Sequence, residues 1–210
     1  PEGTAAIMRA YIQNGLFAHS QPVRLSYVAP MFRHENPQKW RYRQFHQMGL
    51  EVIGDGSPTY DALVIMMFAK TLAELKVKNF VVRINSIGDR SCRVQYRNRL
   101  RVYYKDKLSK LSKEARARFV ADPLKVLDSK DPADKELRDG APVILDDLSP
   151  VCHAHFRSVL ELLDSLNIPY NLDPHLVRGL DYYNRTVFEI EPHRMGDEAP
   201  ESQSALVAGG

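Results

Sequence analysis

The segment LVRGLDYYNRTVFE, Leu176 to Glu189, sets Arg178 beside Gly179, then Asp181, then Tyr182 and Tyr183. A guanidinium next to a glycine and followed by two phenols suits an anion and a ring better than a plain strand. The planar cation grips carboxylate or phosphate oxygens, and each phenol offers a face and a hydroxyl. A second group with chemical reach is RYRQFHQMGLEVIG, from Arg41 to Gly54. On a strand, side chains alternate between faces. Arg41, Arg43, Phe45, Gln47, Gly49 and Glu51 then share one face, and Tyr42, Gln44, His46, Met48, Leu50 and Val52 share the other. The second face is greasier towards its end and is expected to meet the core. The first face offers cations for phosphates, a ring for stacking, and an amide plus a carboxylate for a polar head group. Gly49 leaves a gap in that face, where a ligand is expected. The competing reading is a solvated polar face, which the specialised residue types disfavour. Arg33 and Glu35, in MFRHEN, extend the set. Arg33 and Arg41, facing each other across a turn, can hold two phosphates of a nucleotide. No Gly-rich phosphate loop is present, so such a site works with arginines instead.

These residues need elements to position them. Apolar spacing predicts a helix over Ala5 to Leu16, which Thr4 can cap and Asn14-Gly15 stops. Val23 to Arg33 and Arg41 to Val52 read as strands joined at Asn36-Pro37-Gln38-Lys39, an antiparallel hairpin with a basic tip. Asp61 to Leu75 reads as a helix and Phe80 to Ile84 as a short buried strand. Ser91 to Leu127 is basic and mostly helical, broken at Asp122-Pro123. Lys130 to Pro142, polar with two prolines, is expected to be loop. Val151 to Leu166 is an amphipathic helix. Strands resume at Tyr170 to Leu172 and Leu176 to Glu191, the tail Pro192 to Ser204 is turn-like, and Ala205 to Gly210 starts an apolar element. Arg178 and Tyr183 are five apart, so regular alternation places them on opposite faces unless Gly179 bends the strand. The plan is α+β: a mixed, mainly antiparallel sheet flanked by helices, with a helical insertion. Residues 1–87 and 169–210 are expected to form a core domain and 88–168 the insertion domain.

The chain has 210 residues, 44% of them hydrophobic and 26% charged, which is ordinary for a soluble globular protein. No apolar run is long enough to span a membrane. Its two cysteines, Cys92 and Cys152, fit a reducing cytoplasm and no disulfide framework. No metal site is expected, since Cys152-His153-Ala154-His155 lacks a second ligand pair. Net charge is +3, only a mild hint of a polyanionic partner. The opening Pro1-Glu2-Gly3-Thr4 has neither an initiating Met nor a basic leader, so the chain is expected to be part of a longer protein.

FRHENPQKWRYRQFHQMGLEVIG resembles motif 2 of the class II aminoacyl-tRNA synthetases: Phe-Arg-x-Glu, a variable loop, then Arg-x-x-x-Phe, here Phe32, Arg33, Glu35, Arg41 and Phe45. The opening PEGT and LVRGLDYYNRTVFE resemble the histidine-binding signatures of the histidyl-tRNA synthetase family, and NSIG and DPLKVLDSK extend the likeness through the insertion. The resemblance implies histidine activation with ATP and Mg2+, then transfer to the 3′ end of histidine tRNA, with no organic cofactor. It implies that Arg33 binds the α-phosphate, Glu35 the adenine amino group and Arg41 the γ-phosphate, while Phe45 stacks on adenine. Glu2, Thr4 and Gln47 are implied to bind the α-amino group of histidine. Glu51 and Tyr183 are implied to read the two imidazole nitrogens, with Tyr182 beside them. Arg178 is implied to lie between the histidine carboxylate and the α-phosphate, so that Arg178 and Arg33 serve catalysis. Gln38, Lys39 and Arg43 are implied tRNA contacts. Trp40 stands where relatives usually have Gly; it either stacks on a base or packs. The basic run Arg90 to Lys107 is either a solvated helix face or a tRNA contact. Family members also carry a preceding dimerisation motif, a completed third motif and an anticodon domain, so a cytoplasmic homodimer is implied for the whole protein. The rival reading is a synthetase-like regulatory subunit that senses histidine without activating it. An ATP clamp of Arg33, Arg41, Phe45 and Arg178 argues against that. A pure RNA-binding module fits least, because it needs no amino-acid pocket.

Overall fold

The computed structural model describes residues 2–34, 42–77, 79–129, 131–178, 182–192 and 205–210. Glu35, Gln38, Lys39, Trp40, Arg41, Gly179 and Asp181 lie outside these, so the roles expected of them do too. The chain divides into two compact units, Pro1–Val64 and Ile65–Gly210. The fold is α+β, with antiparallel pairing dominant in its sheets.

In the first unit, helix α1 (Gly3–Gln13) precedes strands β1 (Val23–Phe32) and β2 (Gln44–Ile53). The strands pair antiparallel from Val23↔Ile53 to Phe32↔Gln44. Thr4 does not cap α1. The cap is Glu2, whose carboxylate accepts from Thr4 N at 2.6 Å and Ala5 N at 3.3 Å. A carboxylate there also meets the positive end of the helix dipole. The expected core face of β2 is reversed. Phe45, Gln47, Gly49 and Glu51 are the more buried set, while Gln44, His46 and Met48 are exposed. The cause is Tyr27, whose ring fills the gap that Gly49 leaves and lies against Gly3 of α1 on that same face. Any Cβ at Gly3 or Gly49 would sit 2.1 or 2.2 Å from the Tyr27 ring, which no packing tolerates. The glycine gap is therefore occupied by the protein itself.

Helix α2 (Pro58–Glu74) carries the chain into the second unit. Strand β3 (Phe80–Ser86) is followed by α3 (Arg90–Tyr104), α4 (Lys113–Ala121), α5 (Pro132–Asp139), α6 (Pro150–Ser165), β4 (Tyr170–Leu172), β5 (Thr186–Pro192) and β6 (Val207–Gly209). The four strands form one sheet in the order β4-β3-β5-β6, parallel only between β3 and β4. The expected single sheet is thus two sheets among the described strands, because β1 and β2 pair only with each other. Helix α3 buries Cys92, Tyr96, Leu100 and Tyr104, one residue every turn, and the last three belong to a cluster that includes Ile87, Leu111, Ile144, Leu176 and Val187.

The expected loop at Lys130 to Pro142 contains helix α5. Asp131 caps it by accepting from Ala133 N at 2.9 Å, and Pro132 occupies the first turn, where its missing N–H costs nothing. Asp134 is 1% exposed and accepts from Ser112 N, Ser112 Oγ and Ser129 Oγ. Burial alone would raise its pKa, but these hydrogen bonds outweigh it and the pKa is lowered. Of the expected strand Leu176 to Glu191, the described residues pair regularly only from Thr186 on.

Candidate functional site

The polar residues of the first unit gather where α1 meets β2. Thr4 Oγ1 donates to Glu51 Oε1 at 2.8 Å, joining positions that the sequence separates by 47 residues. Glu51 is half-buried and its pKa is raised, first by burial, then by the nearby Glu2 carboxylate, against the lowering effect of the Thr4 hydrogen bond. Gln47 Nε2 donates to the Tyr27 hydroxyl at 2.9 Å. With the amide nitrogen engaged there, Gln47 keeps its carbonyl oxygen as an acceptor, the half of an amide that an ammonium group needs. Glu2, Thr4, Gln47 and Glu51 are therefore all fixed by α1, β2 and the Tyr27 ring. Sequence reasoning missed Tyr27; the signal was a large ring matched to two glycines, Gly49 across the hairpin and Gly3 on α1.

At the other end of the hairpin, Arg33 lies over Phe45, with its guanidinium carbon 3.8 Å from the ring centroid, a cation–π contact. Arg33 N also donates to Arg43 O at 2.8 Å, which extends the ladder beyond Phe32. Arg33 Nε is buried and has no hydrogen-bond partner among the described residues. A buried cationic donor without an acceptor is costly, and an anion relieves the cost. Arg43 and Tyr42 are exposed.

In the second unit, Arg178 forms an ion pair with Glu189 of β5 and its guanidinium lies 5.5 Å from the Tyr183 ring centroid. Tyr182 to Arg185 lie in no strand and residues 179–181 fall outside the described residues, so the bend expected at Gly179 does too. Arg178 Nε, like Arg33 Nε, is buried with no hydrogen-bond partner among the described residues. Glu189 is raised in pKa by burial, against lowering by Arg178 and Arg83. Arg83 of β3 sits 3.9 Å from Glu189, 2.7 Å from Glu191, and pairs with Asp173. Burial works against its charge, but the Asp173 and Glu191 carboxylates prevail and its pKa is raised. The segment leading to Arg178 is held by Asn85, 1% exposed, whose Nδ2 donates to Pro174 O at 3.2 Å and Leu176 O at 3.0 Å. Tyr182 is exposed and stacks on Tyr183 at a centroid distance of 4.9 Å. A cavity of about 170 Å³ opens beside Tyr183, lined by Arg93, Arg97, Arg118, Lys125 and Arg178 among others. Its charge is partly neutralised, since Asp122 accepts from Arg97 at 2.8 and 3.0 Å. Arg83, Asn85, Arg93 and Glu189 were not singled out from the sequence as site residues. The roles of Arg83, Asn85 and Glu189 depend on strand register and that of Arg93 on how α3 packs, neither of which a single sequence reveals.

Asp89, Cys92 and Cys152 bring one ligand-type atom each within 4.8 Å of one another. Internal contacts account for them. Asp89 caps α3 at Cys92 N, the Cys152 thiol donates to Asp89, and Ser149 N donates to Cys92 Sγ. Among the described residues, no helix is long and apolar enough to cross a membrane.

The family model for histidyl-tRNA synthetase matches residues 1–210. The histidine–tRNA ligase of Thermodesulfovibrio yellowstonii is 45% identical over 210 residues, covering 100% of this chain and 49% of that protein. The chain spans about half the length of the curated relatives it matches. The crystal structure of apo S. aureus histidyl-tRNA synthetase aligns with a TM-score of 0.70 at 37% identity, over 90% of this chain and 44% of that one. A structure described as an ATP phosphoribosyltransferase regulatory subunit/histidyl-tRNA synthetase from Bacillus halodurans aligns at 0.61 with 24% identity, over 94% of this chain and 55% of that one. That likeness is one of fold, so the fold by itself does not separate a synthetase from a regulatory relative. The match along the whole chain does assign the family: this chain belongs to the histidyl-tRNA synthetase family.

Proposed function

We propose that the full-length protein activates histidine with ATP to an enzyme-bound histidyl-adenylate, releasing pyrophosphate, and then transfers histidine to the 3′ end of its tRNA. The observation that carries this reading is the Thr4–Glu51–Gln47–Tyr27 cluster in a chain of this family. It offers acceptors, which a substrate ammonium and an imidazole N–H both need. In this reading Glu2, Thr4 and Gln47 take the α-amino group, and Glu51 accepts from one imidazole nitrogen. Tyr183, flanked by Tyr182, meets the other. A ring without nitrogens leaves those protein groups unpaired, which excludes phenylalanine and tyrosine.

ATP would be taken as its magnesium complex, in which the hard cation would offset the charge of the phosphates. Arg33 takes the α-phosphate, Arg41 the γ-phosphate, Glu35 the adenine amino group and Phe45 the adenine face. The orphaned Nε atoms of Arg33 and Arg178 support anion binding by both residues. Arg178 is tethered to Glu189 through one nitrogen, which fixes its plane and leaves other donors for the reacting carboxylate and phosphate. A preset cation at the position where charge develops lowers the barrier rather than only tightening the substrate. Residues 1–87 and 169–210 act as the catalytic core and 88–168 as an insertion. Gln38, Lys39 and Arg43 contact tRNA, and the working form is a cytoplasmic homodimer.

Histidine-dependent ATP–pyrophosphate exchange by the full-length protein tests the reading. The expected result is exchange with histidine and with none of the other standard amino acids. A protein that binds histidine yet stays silent is instead a regulatory relative.

A further inference from the structure

We propose that Arg93, on α3, is a positioning residue for histidine recognition, holding the main-chain carbonyl of Tyr183 at the corner formed by Gly88. The inference rests on the reading of Tyr183 as an imidazole-contacting residue.

The β3–β5 ladder ends at the pair Ser86↔Thr186. Two further bonds carry it one step on: Ile87 N donates to Arg185 O at 2.7 Å, and Arg185 N donates to Gly88 O at 2.9 Å. Tyr183 and Asn184 lie just beyond this last step and outside any strand. Arg93 takes over there. Its Nη1 donates to Tyr183 O at 3.1 Å and Gly88 O at 3.2 Å, with a long contact to Asn184 Oδ1 at 3.5 Å. A charged donor shared among these acceptors makes a stronger tie than a neutral amide would.

The base of this tie is rigid. Asp89 caps α3 directly before Arg90, and the buried row Cys92, Tyr96, Leu100 and Tyr104 seats the helix in the core. The position of the Tyr183 carbonyl is thereby referred to a helix seated in the core. The tie is also separable from the fold. Gly88 O keeps its bond from Arg185 N when Arg93 is replaced, so the ladder survives, whereas Tyr183 O loses its bond from Arg93. Arg93 is only half-buried and lines the same cavity as Arg178 and Tyr183. Its loss therefore falls on the placement of the phenol, which acts on substrate binding.

The test compares Arg93→Met, Arg93→Lys and Tyr183→Phe in the full-length protein, by steady-state ATP–pyrophosphate exchange and by thermal unfolding. Arg93→Met is expected to raise the KM for histidine about tenfold while the KM for ATP stays within about twofold. Arg93→Lys, which still reaches one carbonyl with a charged donor, is expected to recover most of that loss. Equal rises in both KM values, or a rise that follows a fall in Tm and is not recovered by lysine, overturn the positioning role. An unchanged histidine KM in Arg93→Met beside a raised one in Tyr183→Phe also overturns it, with the reading of Tyr183 intact. If Tyr183→Phe itself leaves the histidine KM unchanged, that reading falls and the inference falls with it.

Discussion

The hairpin of the first unit and the Asp173–Glu189 stretch of the second hold their polar residues by different means. In the hairpin, an unbroken antiparallel ladder from Val23↔Ile53 to Phe32↔Gln44 sets Phe45, Gln47 and Glu51 on one face. In the other region no ladder runs through Arg178. Its place is set by side chains instead: Asn85 on the carbonyls of Pro174 and Leu176, Arg83 on Asp173, and Glu189 on Arg178 itself. A ladder locates a side chain through backbone bonds that no single substitution removes. A stitched segment depends on each stitch. The first kind of region should tolerate the loss of a side chain and resist an added one, and the second should behave the other way.

The largest expected effect follows from the stitched region. Arg178→His should lower kcat in pyrophosphate exchange by about a thousandfold, as removal of a preset transition-state donor does. Histidine affinity, measured by equilibrium dialysis, should change by less than about threefold. Equal losses in both would mean that Arg178 is a stitch and not a catalytic group. An addition to the ladder comes next. Gly49→Ala drives a methyl into the Tyr27 ring and should cost about 2 kcal/mol in urea unfolding, with a raised KM for histidine as Gln47 shifts. A neutral Gly49→Ala would show that the hairpin face yields easily and would erase the contrast.

The smallest effect concerns Glu51. Its folded pKa is raised above the ordinary value of 4.5. Its contribution to stability is therefore fully present below that value and is lost as pH rises through the folded pKa. Glu51→Gln keeps the acceptor for Thr4 and removes the loss. At neutral pH the variant should melt about 2 °C higher, with a flatter dependence of Tm on pH, while discriminating less well for histidine. A Tm profile identical to that of the parent would mean that Glu51 is not held against its burial.

The same contrast explains what a single sequence discloses. The pleat has a period of two, so the grouping of Phe45, Gln47, Gly49 and Glu51 was legible from residue types alone. Which face turns inward was not, because it depends on Tyr27 and α1, and both hairpin faces carry apolar residues. The capping of α1 was misassigned to Thr4 because hydroxyls cap more often than glutamate does. The Thr4 hydroxyl is instead taken by Glu51, a partner set by tertiary structure. Helix α5 was hidden by prolines that mark loops as readily as first turns. Around Arg178 the residues were conspicuous but their geometry was not. An irregular segment has no period, and its supports Arg83 and Asn85 lie at least 88 residues before Asp173 in the chain.

Tyr27 has a consequence for how such a chain can diverge. Its ring lies against both Gly3 and Gly49, so neither glycine can gain a side chain while the ring stays. A smaller residue at 27 would open room at both places at once. Positions 3, 27 and 49 are then one heritable character: substitutions accepted by descendants of this chain should arrive there as a matched set, with single changes weeded out.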